Sequence, residues 1–117
     1  MPSTTDDVLQ RHVKCFFEGD LEGLVSDYSA DAVFFTPAGP LKGHDRIREF
    51  FRPLIKEFGQ SGTTFKMEHH AVDGDFAYSV WSAETVDNVY EMATDPQVVR
   101  DGKIVAQSFA GKITPKR

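Results

Sequence analysis

The chain is 117 residues long with thirteen basic and eighteen acidic side chains, a net charge of −5, and 40% hydrophobic residues. That length supports one domain, spanning 1–117, with a core that buries about two-thirds of the unfolded surface. With a single cysteine (Cys15), no basic cluster before the last two residues, no leader-like N-terminus and a longest uncharged run of ten residues (Ala32–Leu41), the composition argues for a cytoplasmic protein. It argues against a nucleic-acid surface, an internal disulfide, a thiolate metal site and a membrane span.

Ser3, Thr4, Thr5 and Asp6 are all good helix N-cap types, and an apolar stripe follows at helical spacing: Val8, Leu9, Val13, Phe16, Phe17. His12 stands four residues from both Val8 and Phe16, so it faces the core. Gly19 ends this helix, and Asp20 caps a second one carrying Leu21, Leu24, Val25 and Tyr28. Ala32–Thr36 reads as a short strand stopped by Pro37, Gly39 and Pro40. From His44 a third helix runs with Ile47, Phe50, Phe51, Leu54, Ile55 and Phe58 on one face, and Pro53 is expected to kink it.

Beyond Gly59-Gln60-Ser61-Gly62 the period changes to two. The turn signals Asp73-Gly74, Asp87-Asn88 and Asp101-Gly102 divide the remainder into four strands, 63–72, 75–86, 89–100 and 103–113, in hairpin connection. The order of elements predicts an α+β fold in which three N-terminal helices pack on a long, twisted antiparallel sheet. Strand 75–86 carries apolar groups on both faces: Phe76, Tyr78 and Val80 on one, Ala77, Trp81 and Ala83 on the other. One face suits the helices, and the other is expected to be covered by a second copy, giving a homodimer.

The run from Phe17 to Phe51 contains Gly-Asp-Leu between two helices, Tyr-x-x-Asp-Ala-Val entering the first strand, and Gly-x-x-x-Ile-Arg-x-Phe-Phe opening the third helix. With the late Val-Val-Arg-Asp-Gly-Lys-Ile-Val, it resembles the nuclear transport factor 2-like superfamily, nearest its SnoaL-like and ketosteroid isomerase-like branches, over about residues 5 to 110. The resemblance implies a cone: a curled antiparallel sheet around a long helix, the cystatin-like α+β barrel, with an apolar pocket at one end. The ten Phe, three Tyr and one Trp then serve as walls. Isomerases, dehydratases, cyclases, hydrolases and plain binding or assembly domains share this scaffold, so fold alone does not select among them.

Three positions of the isomerase branch can be carried over. Its base, an Asp just before the Pro ending the first strand, corresponds to Thr36, whose hydroxyl is no base unaided. Its helix-one Tyr corresponds to His12, seven residues before Gly19, and its second Asp to Asp95, seven before Gly102. Dehydratases of the superfamily use His/Asp pairs inside the cone, so the resemblance permits His12 as acid/base and Asp95 as its partner, with no cofactor or metal. Two readings stand beside each other: an acid–base enzyme for a small apolar molecule, or a binding or dimeric assembly domain in which His12 is a hydrogen-bonded core residue. Pro96 removes a ladder donor, so Thr94–Gln97 forms a bulge, an edge or a loop, and in a loop Asp95 is expected to reach solvent. Tyr28, Phe34, Thr36, Met67, His69 and Trp81 are the expected ligand contacts. His69 is placed inward with Phe65, Met67 and Ala71, and His70 outward with Lys66 and Glu68, because neighbours on a strand face opposite ways.

Overall fold

The computed structural model describes residues 4–116; the candidate cap Ser3 lies outside them. Helix α1 (Thr5–Glu18) starts at Thr4, whose hydroxyl accepts from the Asp7 N–H while the Asp7 carboxylate accepts from the Thr4 N–H. Gly19, at φ 76°, ends it in the left-handed region that favours glycine. Asp20 caps the short α2 (Leu21–Ser26) through the Gly23 N–H at 2.9 Å. Tyr28 departs from the expected helix: it opens strand β1 (Tyr28–Thr36), which turns into β2 (Gly39–Lys42). Helix α3 (His44–Phe58) runs through Pro53, which is solvent-exposed, and buries Ile47, Phe51 and Phe58.

The second half is the expected meander with two breaks. Strand β3 (Thr64–Asp73) pairs with β4 (Phe76–Glu84); β5 (Asn88–Thr94) and β6 (Gln97–Arg100) both pair with β4, interrupted at Asp95-Pro96. Strands β7 (Lys103–Ser108) and β8 (Ala110–Pro115) are likewise one run broken at Phe109, pairing with β6 and β5. The hairpin at Asp101-Gly102 has both residues at positive φ, 52° and 75°, as a two-residue primed turn requires. At Asp87-Asn88 the connection is longer than two residues. Glu57 at the end of α3 ties it down by accepting from Thr85, Asn88 and Tyr90 at 2.6–3.0 Å.

The result is the expected α+β architecture, three helices on a curled eight-stranded sheet, with one correction. The sheet is mixed rather than antiparallel, because β1 joins β7 in parallel. A strand that reaches the sheet from a helical segment, rather than from a hairpin, is free to enter in either direction. Phe34, Phe51, Ile47, Val8 and Leu24 are buried where helices meet sheet. No helix among the described residues is long and apolar enough to cross a membrane.

Candidate functional site

Between α1, α3 and the concave face of the sheet lies a cavity of about 430 Å³, a volume in the range of small-molecule sites. Its walls are rings: Phe16 and Phe17 from α1, Phe50, Phe51 and Phe58 from α3, and Phe34, Trp81, Tyr90 and Phe109 from the sheet. Polar groups interrupt this lining at few points, so each is conspicuous.

Asp95 is the first. The ladder does break at Asp95-Pro96, yet the side chain turns into the cavity instead of reaching solvent. The indole N–H of Trp81 donates to Asp95 Oδ2 at 2.6 Å, and the Gln107 amide donates to Oδ1 at 3.3 Å. Those two donors favour the carboxylate, but burial among rings outweighs them and pushes Asp95 up to about 6. A carboxyl that titrates there is largely ionised at neutral pH and a stronger base than an ordinary aspartate.

His12 is on the inner face of α1, 7% exposed, as its helical phase requires. Its Nε2 lies 3.5 Å from the Tyr28 hydroxyl, and that hydroxyl donates to Gln107 Oε1 at 2.6 Å. His12 and Asp95 thus join one network without direct contact, Tyr28 and Gln107 standing between them. Desolvation lowers His12 to about 4, so the ring is neutral at pH 7 and the group nearest neutrality is Asp95. On its other side, His12 Nδ1 faces Asp27 Oδ2 at 3.9 Å, and neither atom has a hydrogen-bond partner. Asp27 Oδ1 accepts from Arg11 Nε at 2.7 Å, which opposes the upward effect of burial on this carboxyl.

Tyr28→Phe removes the donor to Gln107 and leaves its buried amide oxygen unpaired. The expected cost is about 1–3 kcal/mol in chemical denaturation, with the fold retained; an unchanged midpoint would mean the amide finds another donor.

The other expected contacts divide. Phe34, Met67 and Trp81 line the cavity, and Tyr28 supports it from behind. Thr36 does not: its hydroxyl donates to the Gly39 carbonyl at 2.9 Å and accepts from Ala38 N–H, so it is consumed by the β1–β2 turn. His69 and His70 exchange places. A bulge at Glu68 shifts the β3–β4 register, pairing His69 with Val80 on the outer face and His70 with the inward Ser79. His69 accordingly packs near Tyr78, while His70 lines the cavity.

Sequence reasoning also passed over Asp27, Gln97 and Gln107. A bulge at Val105, between Ile104 and Ala106, turns Gln107 inward against the alternation. Gln97, by contrast, shares its phase with the buried Val99, so alternation along that strand does signal it. The Gln97 side chain is 6% exposed, lines the cavity and has no hydrogen-bond partner among the described residues.

Residues 9–107 match the model of the SnoaL-like domain family. Among solved structures, the chain is similar to a protein of Kribbella flavida, at 20% identity and TM-score 0.76, with 91% of this chain and 84% of that one covered. It is similar to TerC crystallised with polyporic acid, at 17% identity and TM-score 0.74, with coverage of 94% and 92%. A protein of Sinorhizobium meliloti provisionally assigned as a polyketide cyclase matches at 17% identity and TM-score 0.73, with coverage of 89% and 94%. At such identities the likeness is one of fold. No curated protein matches the chain.

Proposed function

This chain belongs to the SnoaL-like domain family, within the nuclear transport factor 2-like superfamily, and we propose that it is an enzyme of the isomerase or cyclase type. It moves a proton on a small, largely apolar carbonyl compound, a reaction for which an acid–base group suffices. The observation that carries this reading is Asp95: a carboxyl held by Trp81 and Gln107 on the wall of a ring-lined cavity and titrating near neutrality. The neighbour co-crystallised with polyporic acid and the one provisionally assigned as a polyketide cyclase are in keeping with such an occupant. His12 supplies no proton in this scheme. It stays neutral and, through Tyr28, fixes the orientation of the Gln107 amide that holds the carboxylate.

The reading is tested with 5-nitrobenzisoxazole, a flat molecule that reports on any base in an apolar cavity. The base takes the ring C–H proton, the N–O bond breaks, and a coloured cyanophenolate leaves. Turnover is expected to rise as Asp95 ionises around pH 6 and to level above it. Binding without turnover would make the domain a ligand carrier instead.

The outer sheet face carries Phe76, Tyr78 and Met92 at 58%, 43% and 53% exposure. Covering it with a second copy gives a homodimer, expected in sedimentation as twice the monomer mass. Tyr78→Glu is expected to return the monomer; a monomeric wild-type chain would count against the pairing.

A further inference from the structure

A second line of polar groups enters the same cavity from its mouth. Asp6, in the first turn of α1, accepts from the Gln10 amide at Oδ2 (2.6 Å) and faces His70 Nε2 with Oδ1 at 3.3 Å. The other nitrogen of that ring, Nδ1, lies 3.1 Å from the Ser79 hydroxyl. Ser79 is 7% exposed, whereas His70 keeps about a third of its side chain in solvent. All three residues line the cavity. The Asp95 N–H donates to the Ser79 carbonyl at 3.0 Å, and Ser79 shares an inward face of β4 with Trp81, the residue that holds Asp95. The line therefore ends beside the proposed base.

We propose that Asp6, His70 and Ser79 form a proton relay in which Asp6 orients the His70 ring and His70 resupplies the Ser79 hydroxyl, which protonates the oxygen of a bound ketone while Asp95 works on its carbon. The inference rests on the proton-transfer reading given above. Its direction follows from what each atom can do. A carboxylate oxygen only accepts, so His70 keeps a hydrogen on Nε2, toward Asp6. When the ring is an imidazolium, its Nδ1–H donates to Ser79 Oγ, leaving the Ser79 O–H free to point at the ligand. As Asp95 takes a proton from carbon α to the carbonyl, the electron pair moves onto the carbonyl oxygen. That oxygen takes the Ser79 proton, Ser79 takes the Nδ1 proton, and His70 becomes neutral. For a β,γ-unsaturated ketone Asp95 returns its proton at the γ carbon, the enol gives its proton back to Ser79, and Ser79 returns one to His70 Nδ1, which restores the imidazolium.

Two compounds separate the relay from the base. Elimination of 5-nitrobenzisoxazole needs only a base, since its phenolate leaves without a proton. Isomerisation of cyclohex-3-enone to cyclohex-2-enone, followed by the absorbance of the conjugated product, builds charge on oxygen and needs a donor there. Ser79→Ala and His70→Gln are each expected to lower the ratio of isomerisation to elimination by about 10²-fold, chiefly through kcat. Asp95→Asn is expected to lower both reactions by about 10²–10⁴-fold. Variants that leave the ratio unchanged overturn the relay, as does a wild-type chain that eliminates but does not isomerise; Asp95 keeps its role in either case. A wild-type chain inert toward both compounds overturns the Asp95 reading, and the relay with it. Nitrogen NMR supplies a test without substrate: neutral His70 is expected with its hydrogen on Nε2, and the opposite tautomer would overturn the relay.

Discussion

Asp95→Asn is expected to lower turnover of a base-dependent probe by about 10²–10⁴-fold and, at the same time, to raise the stability of the protein at neutral pH. The two effects share a cause. Burial among Trp81, Phe109 and the other rings raises the Asp95 carboxyl to about 6, against about 3.9 for an unfolded aspartate. Below both values the group is protonated in both states and contributes no difference. Between about 4 and 6 the unfolded chain releases its proton and the folded chain retains it, so folding loses stability as pH rises through this window. Above it both are ionised and the full penalty persists, about 2–3 kcal/mol at its upper limit. Asparagine does not titrate, so the advantage of the variant is expected to grow over that same window and then stay constant. Thermal unfolding at pH 4 and pH 7 measures it; equal differences at both would mean that Asp95 is not strained.

The same substitution has a consequence at the far end of the network. In the ionised state every donor points toward Asp95: Tyr28 to Gln107, and Gln107 to the carboxylate. A protonated Asp95, or the asparagine amide, donates instead, and the Gln107 amide turns over to accept. Tyr28 is then left to donate to His12 Nε2, placing the ring hydrogen on Nδ1, toward the unpartnered Asp27 Oδ2. Asp95→Asn is thus expected to switch the His12 tautomer, seen in nitrogen chemical shifts. An unshifted His12 would show that the network ends at Tyr28.

Phe34→Ala is expected to cost about 3–5 kcal/mol, the largest stability loss proposed for a single side chain. Phe34 is 1% exposed and meets the rings of Phe50, Phe51 and Tyr28 at centroid distances of 4.9, 5.5 and 6.4 Å. Its removal deletes that packing and enlarges the cavity that Phe34 helps to wall. Phe35, the next residue, points outward with half its surface exposed, so Phe35→Ala is expected to change stability by about 0.5 kcal/mol or less. Denaturant midpoints of the two variants give the comparison; a similar loss in both would remove Phe34 from the core.

Signals confined to one turn of chain were legible in the sequence by itself. Thr4 and Asp20 cap helices, Gly19 ends one, Asp101-Gly102 makes a primed hairpin, and helical phase turns His12 inward, each because the responsible atoms lie within a few residues of one another. The motifs between Phe17 and Phe51 add the family. Strand phase was less secure, since a single extra residue reverses every side chain beyond it. The bulge at Glu68 exchanged His69 for His70, and that at Val105 brought Gln107 to Asp95. Thr36 held the place expected of a ligand contact, but its hydroxyl was closer to its own turn than to the cavity. Only tertiary structure decided which of His12 and Asp95 titrates near neutrality, because protonation is set by the rings and donors that distant segments bring to each group. Composition and local pattern thus determined an α+β domain rich in aromatic walls, and the assembled fold determined which few polar atoms those walls leave facing inward.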